Sequence, residues 1–231
     1  MLRRTLHDNG LALFFLLIFA AALIAQAIAG HAAYNDDEVM HAQLLHQSPE
    51  TLSFWRYVTS SSFGNAVMEN WQSEYLQFTI YVLATIWLVQ RGSTESKELD
   101  KAGLESDADQ QVGRHIRTRS PKWAKAGGWR LRIYSNSLLI VVTLIFVASW
   151  FGQSVTGWSE YNATQIEHHQ QGVSWASFVG TADFWEATLQ NWQSEFLAVG
   201  SMVIFSVYLR QRGSSQSKPV GAPHGETAVE S

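Results

Sequence analysis

Residues 10–30, GLALFFLLIFAAALIAQAIAG, run without a charged side chain, and residues 137–157, SLLIVVTLIFVASWFGQSVTG, repeat that character. Neither run shows the polar face of a half-buried helix. Both reach the roughly 20 residues that a helix needs to cross a hydrocarbon core about 30 Å thick. Two shorter apolar runs, 75–90 and 196–209, need flanking turns to finish a crossing. The pattern predicts an all-α membrane protein with four transmembrane helices, at about 10–30, 71–90, 137–157 and 192–210. A cleaved signal peptide competes for the first run, because Arg3-Arg4, an apolar stretch and Ala27-Ile28-Ala29 fit that plan. The run is longer than a usual signal core and has a counterpart in mid-chain, so a retained helix is expected.

The polar positions repeat as well. NWQSEY at 70–75 returns as NWQSEF at 191–196, and QRGSTESK at 90–97 returns as QRGSSQSK at 211–218, both at an offset of 121. The preceding helices match at an offset of 127: Asn9, Gln26, Gly30, Tyr34, Asn35 and His41 meet Asn136, Gln153, Gly157, Tyr161, Asn162 and His168. The six-residue difference places an insertion near 44–51. Polar identities at constant spacing require a duplication. Each copy holds an even number of spans, so the fold class expected is two helical hairpin repeats of parallel orientation with short interfacial helices in the outer loops. The units are 1–97 and 129–218, joined by a mobile linker at 98–128 and followed by a disordered tail at 219–231.

Local signals refine this plan. Asn9 and Asn136 are placed to cap the first and third spans, and Ser62 and Asp183 the second and fourth. Ser48-Pro49-Glu50 reads as the start of a short helix reaching about Val58. Ala21, Ala25 and Ala29, matched by Ala148, Gly152 and Thr156, suggest that the first and third spans pack closely.

Charge then sets the orientation. Of 16 Lys and Arg, only Arg56 falls in a segment between the first and second or the third and fourth spans. That asymmetry puts both termini and the linker on the cytoplasmic side of an inner membrane, multi-pass. The basic, aromatic stretch 121–132 suits anionic lipid. The expected partners are the lipid bilayer and a second copy or another membrane protein, with no nucleic acid, because the basic residues sit beside spans. No cysteine is present, which removes disulfides and thiolate chemistry.

The candidate chemistry gathers at NWQSE. Glu74 and Glu195 fall at the outer boundary of their spans, and Asn70, Glu74, Gln77 and Tyr81 share one helix face. Gln26 and Gln153 lie at the same depth and are placed to hydrogen-bond these carboxyls, with Asn191, Trp71 and Trp192 completing a tentative ligand site. One reading has these groups cap and cross-link the bundle. The other has them bind a cation, a proton or a small polar ligand between the repeats. His41, His168 and His169, near several carboxylates, form a weaker candidate metal site. No nucleophile elbow, phosphate loop or His-Glu-x-x-His motif is present, so no enzyme and no cofactor is expected.

The doubled NWQSE[YF]L and QRGS-x-x-SK signature resembles a family of small bacterial membrane proteins known only as a domain of unknown function. That resemblance implies a bacterial membrane location and brings no catalytic residues. The expectation is a non-enzymatic membrane protein acting through packing, lipid contact or assembly; the alternative is a small permease, channel or ligand sensor.

Overall fold

A computed structural model describes residues 6–227; Arg3, Arg4 and the end of the tail lie outside them. The described residues form helices and turns, with no strand among them. In chain order the helices are α1 (Gly10–Leu45), α2 (Phe54–Val58), α3 (Ser61–Trp87), α4 (Lys122–Ala126), α5 (Gly128–Ser135), α6 (Ser137–Glu167), α7 (Trp175–Val179) and α8 (Ala182–Tyr208). By length and composition α1 and α6 can cross a membrane. Over residues 10–30 the α1 helix is apolar all round and bare, with Leu11, Leu17 and Ile24 exposed by 75%, 71% and 60%. A surface of that kind suits apolar surroundings. Helices α3 and α8 have 27 residues each, about 40 Å at 1.5 Å per residue, but mix apolar with amide and acidic side chains.

The chain divides into two compact units, Met1–Val67 with Val155–Gly172, and Met68–Ser154 with Val173–Ser231. In the first, the segment after α1 is pinned by Asn35. Its Nδ2 donates to the Leu52 carbonyl at 3.0 Å, and its Oδ1 accepts from the Leu52 N–H at 2.8 Å. His31 Nε2 lies 2.7 Å from the same carbonyl. This clamp corrects the expected helix at Ser48-Pro49-Glu50. Residues 47–53 stay non-helical, and α2 starts only at Phe54 after an extended Ser53. Tyr57 of α2 is buried against Gly30, where a Cβ would stand 2.2 Å from the Tyr57 hydroxyl. Thus Gly30, the position where a signal peptide would end, is packed within a continuous helix.

At 36 residues α1 is five longer than α6 at 31. The caps are also corrected. Asn9 makes no side-chain capping bond, and Asn136 turns its Nδ2 back to the Arg132 carbonyl at 2.8 Å, serving the end of α5. Ser60 Oγ accepts from Phe63 N–H, and Thr181 Oγ1 from Phe184 N–H, both at 3.3 Å, so these residues cap α3 and α8 in place of Ser62 and Asp183. Both hydroxyls lie two residues earlier than expected, and at Thr181 the chain enters α8 from extended geometry.

The alanine stripe is a further correction: Ala21, Ala25, Ala29 and Ala148 are exposed. The close approach falls instead between α3 and α6. In the first unit a Cβ on Gly64 would stand 3.1 Å from Thr156 Cγ2; in the second, one on Gly152 would stand 3.0 Å from Met68 Sδ.

The second unit is built on aromatic packing. Trp150 stacks on Phe146 at 5.5 Å between ring centroids and on Phe184 at 6.5 Å, and meets Trp192 at 5.8 Å. Such pairs add about 0.5–1.5 kcal/mol each beyond buried area. Trp175 of α7 donates from Nε1 to Ser154 Oγ at 3.1 Å.

Replacing Asn35 by Ala removes both halves of the Leu52 clamp and leaves backbone groups to find water. The expected outcome is a loss of about 1–3 kcal/mol, seen as faster amide exchange at Leu52 and through α2 while α8 exchanges as before.

Candidate functional site

Each QRGS-x-x-SK segment folds into the same loop. Gln90 N–H donates to Ser96 Oγ at 2.7 Å, and Gln211 N–H to Ser217 Oγ at 2.8 Å. Glu95 N–H and Gln216 N–H donate to Ser93 and Ser214 Oγ at 3.1 Å. Gly92 and Gly213 hold φ of 82° and 83°, a left-handed region where a side chain is strained. The loop ends in a lysine that grips the chain beyond it. Lys97 Nζ donates to the Gly103 carbonyl at 3.1 Å and pairs with Glu105 at 2.9 Å. Lys218, only 3% exposed, donates to the carbonyls of Pro223, His224 and Glu226 at 3.1, 2.9 and 3.0 Å. Where composition reads as a mobile linker and a disordered tail, residues 98–105 and 219–227 are folded back onto these ammonium groups. A lone lysine in a polar loop carries no periodicity, so pattern reading has no purchase on this role.

The NWQSE residues divide by burial. Gln72 has no exposure and Ser73 2%, whereas Glu74 is exposed. Trp192 Nε1 donates to Gln72 Oε1 at 2.7 Å, and Asn191 Nδ2 to Glu69 Oε1 at 3.1 Å. These bonds tie α3 to α8 within the second unit. Glu195 is half-buried and near enough to Glu74 to feel its charge. Gln153, 2% exposed, turns Nε2 towards Thr188 Oγ1 at 3.5 Å. Gln26 is exposed on α1. Trp71 is half-buried; Asn70 is exposed, and its carbonyl accepts from Ser73 Oγ at 2.9 Å.

Below these residues, between α3 and α8, lies a cavity of about 230 Å³. Its wall includes Gln77 and Ala198, Phe78 and Val199, Tyr81 and Met202, and Glu95 and Gln216. Each pair is separated by the 121-residue offset of the duplicated sequence. The helix face carrying Glu74, Gln77 and Tyr81 was legible; its continuation to Glu95 was not, since the contact depends on how the loop turns back. Tyr81 hydroxyl donates to Glu95 Oε2 at 2.5 Å.

The first unit holds a separate acidic and aromatic cluster. Burial pushes the Glu160 carboxyl above its ordinary 4.5, with a hydrogen bond from Ser62 acting against the shift. Burial likewise raises Tyr34 and Tyr57, reinforced at Tyr34 by Glu38 and at Tyr57 by Glu160. Beside them a cavity of about 370 Å³ is lined by Tyr34, Glu38, His41, Glu50, Glu167 and His169. The His41 and His168 rings meet at 6.5 Å between centroids. No group of three His, Asp or Glu side chains converges closely enough to hold a metal among the described residues, so the histidines pair without forming a metal centre.

The model of a family described as a domain of unknown function, DUF6766, matches residues 2–229. No curated protein and no solved structure matches the chain.

Glu160 gives a pH test. A folded-state value above the unfolded one means that its contribution is whole below about 4.5 and is lost as pH climbs through the raised value. Glu160→Gln should therefore raise the melting temperature at pH 7 and flatten its decline above pH 4.5, measured by tryptophan fluorescence in one detergent.

Proposed function

We propose, for a chain that belongs to the DUF6766 family, a four-span membrane protein of two parallel hairpin repeats that works without catalysis as a packing and assembly element. The spans lie within or overlap α1, α3, α6 and α8, at about 10–30, 71–90, 137–157 and 192–210, with both termini and the 98–128 linker on the cytoplasmic side of a bacterial inner membrane. The charge asymmetry of the loops supports that orientation. The paired QRGS-x-x-SK loops, alike bond for bond, support the duplication.

The observation that carries the functional reading is the bond from the Trp192 indole to the fully buried Gln72. The polar core of the repeated motif is occupied in joining helix to helix, a use that suits hydrocarbon, where apolar surface alone drives no association. The bare apolar surface of α1 faces lipid, a second copy or another membrane protein. Acidic side chains of the motif face outward and are not needed for the joint.

Three measurements test this reading. Reporter fusions at residue 110 should read cytoplasmic and fusions in the 40s external; the reverse would overturn the topology. Gln72→Ala leaves the Trp192 N–H without an acceptor, at a cost of about 1–3 kcal/mol, and should lower the amount of protein accumulated in membranes. Glu74→Gln combined with Glu195→Gln should accumulate as wild type. Ion flux in proteoliposomes that disappears in this double variant would replace the scaffold reading with a channel or permease.

A further inference from the structure

The cavity between α3 and α8 holds a charge that helix packing does not use. At about 230 Å³ it has room for roughly seven waters at about 30 Å³ each. Its walls are apolar apart from two amides, the Tyr81 hydroxyl and the Glu95 carboxylate. Glu95 receives the Tyr81 hydrogen bond, yet among the described residues no Lys or Arg pairs with it. Lys97, two positions away, is turned to Glu105 and the Gly103 carbonyl. The offset position carries Gln216, so the cavity has one carboxylate where strict repetition would give two facing acids that repel. A single anion set in an apolar wall, with the Phe78 and Tyr81 rings alongside, calls for one positive charge on a small apolar body.

We propose that this cavity is a binding site for a small organic monocation, a primary ammonium carrying a short aryl or alkyl group. The ammonium pairs with Glu95 and donates to the amide oxygens of Gln77 or Gln216, while the body lies on Phe78 and Met202. A bare metal ion does not suit the site, because the carboxylate has no companion acids to complete a coordination shell. A lipid chain does not suit it either, since hydrocarbon against Glu95 would strip water from the charge and bring no counter-ion beside the Tyr81 hydroxyl.

The test uses the full chain in nanodiscs, titrated calorimetrically with phenylethylammonium chloride and, in parallel, with neutral 2-phenylethanol. Saturable binding of the cation alone is expected, weakened at least about tenfold in Glu95→Gln, as loss of a charged hydrogen bond implies. Met202→Trp, which fills the cavity and keeps Glu95, should abolish binding, and this holds the test open if Glu95→Gln fails to fold. Absence of saturable binding to the wild type, equal binding of the alcohol, or unchanged affinity in either folded variant overturns the proposal.

Discussion

Gln72 has no solvent exposure; its Oε1 accepts the Trp192 indole N–H at 2.7 Å, while its Nε2 makes no hydrogen bond among the described residues. The second unit is built round that contact. An unsatisfied buried amide or indole costs about as much as several aromatic contacts contribute, so the register of α3 against α8 that joins these two groups is favoured over one that leaves both without a partner. That register also sets Asn191 against Glu69 and Trp192 against Trp150. Burial of the polar group thus selects one arrangement among many that apolar packing alone would accept.

The same demand operates at the helix ends. Carbonyls beyond a helix terminus need donors, and the chain supplies them with cations on its own loops. Arg210 donates to the Val207 and Leu209 carbonyls at 3.0 and 2.8 Å, and Lys218 takes the carbonyls of the following turn. The tail then crosses Gly92 so closely that a Cβ there would stand 1.9 Å from the His224 carbonyl oxygen. A basic residue near a proposed membrane face therefore has two uses, and those at 210 and 218 bind backbone as well as contributing to the charge asymmetry. The buried Lys218 ammonium is held by three carbonyls, and its burial, with Arg210 nearby, pushes its pKa below the ordinary lysine value while the charge of Glu226 acts against that shift.

Repetition of sequence does not produce equal environments. Gln72 and Ser73 are buried, while Gln193 and Ser194, the same letters in the second copy, are exposed. Tyr81 bonds to Glu95; at the corresponding positions Met202 and Gln216 cannot reproduce the bond. The recurring signatures lie on similar helices and loops, and differences at a few positions decide which segment carries a charge and which supplies apolar wall.

What the chain alone determined was the all-helical class, the two long apolar segments and the recurring NWQSE and QRGS-x-x-SK signatures. These are set by composition and spacing, which act locally and need no partner. Tertiary structure decided where hydrogen bonds go: Asn35 to Leu52 in place of a helix at Pro49, Ser60 and Thr181 as caps, Gln153 to Thr188, and Glu95 into a cavity with Tyr81. A side chain's partner depends on which groups the fold brings within about 3 Å, and no periodicity along one chain records that distance.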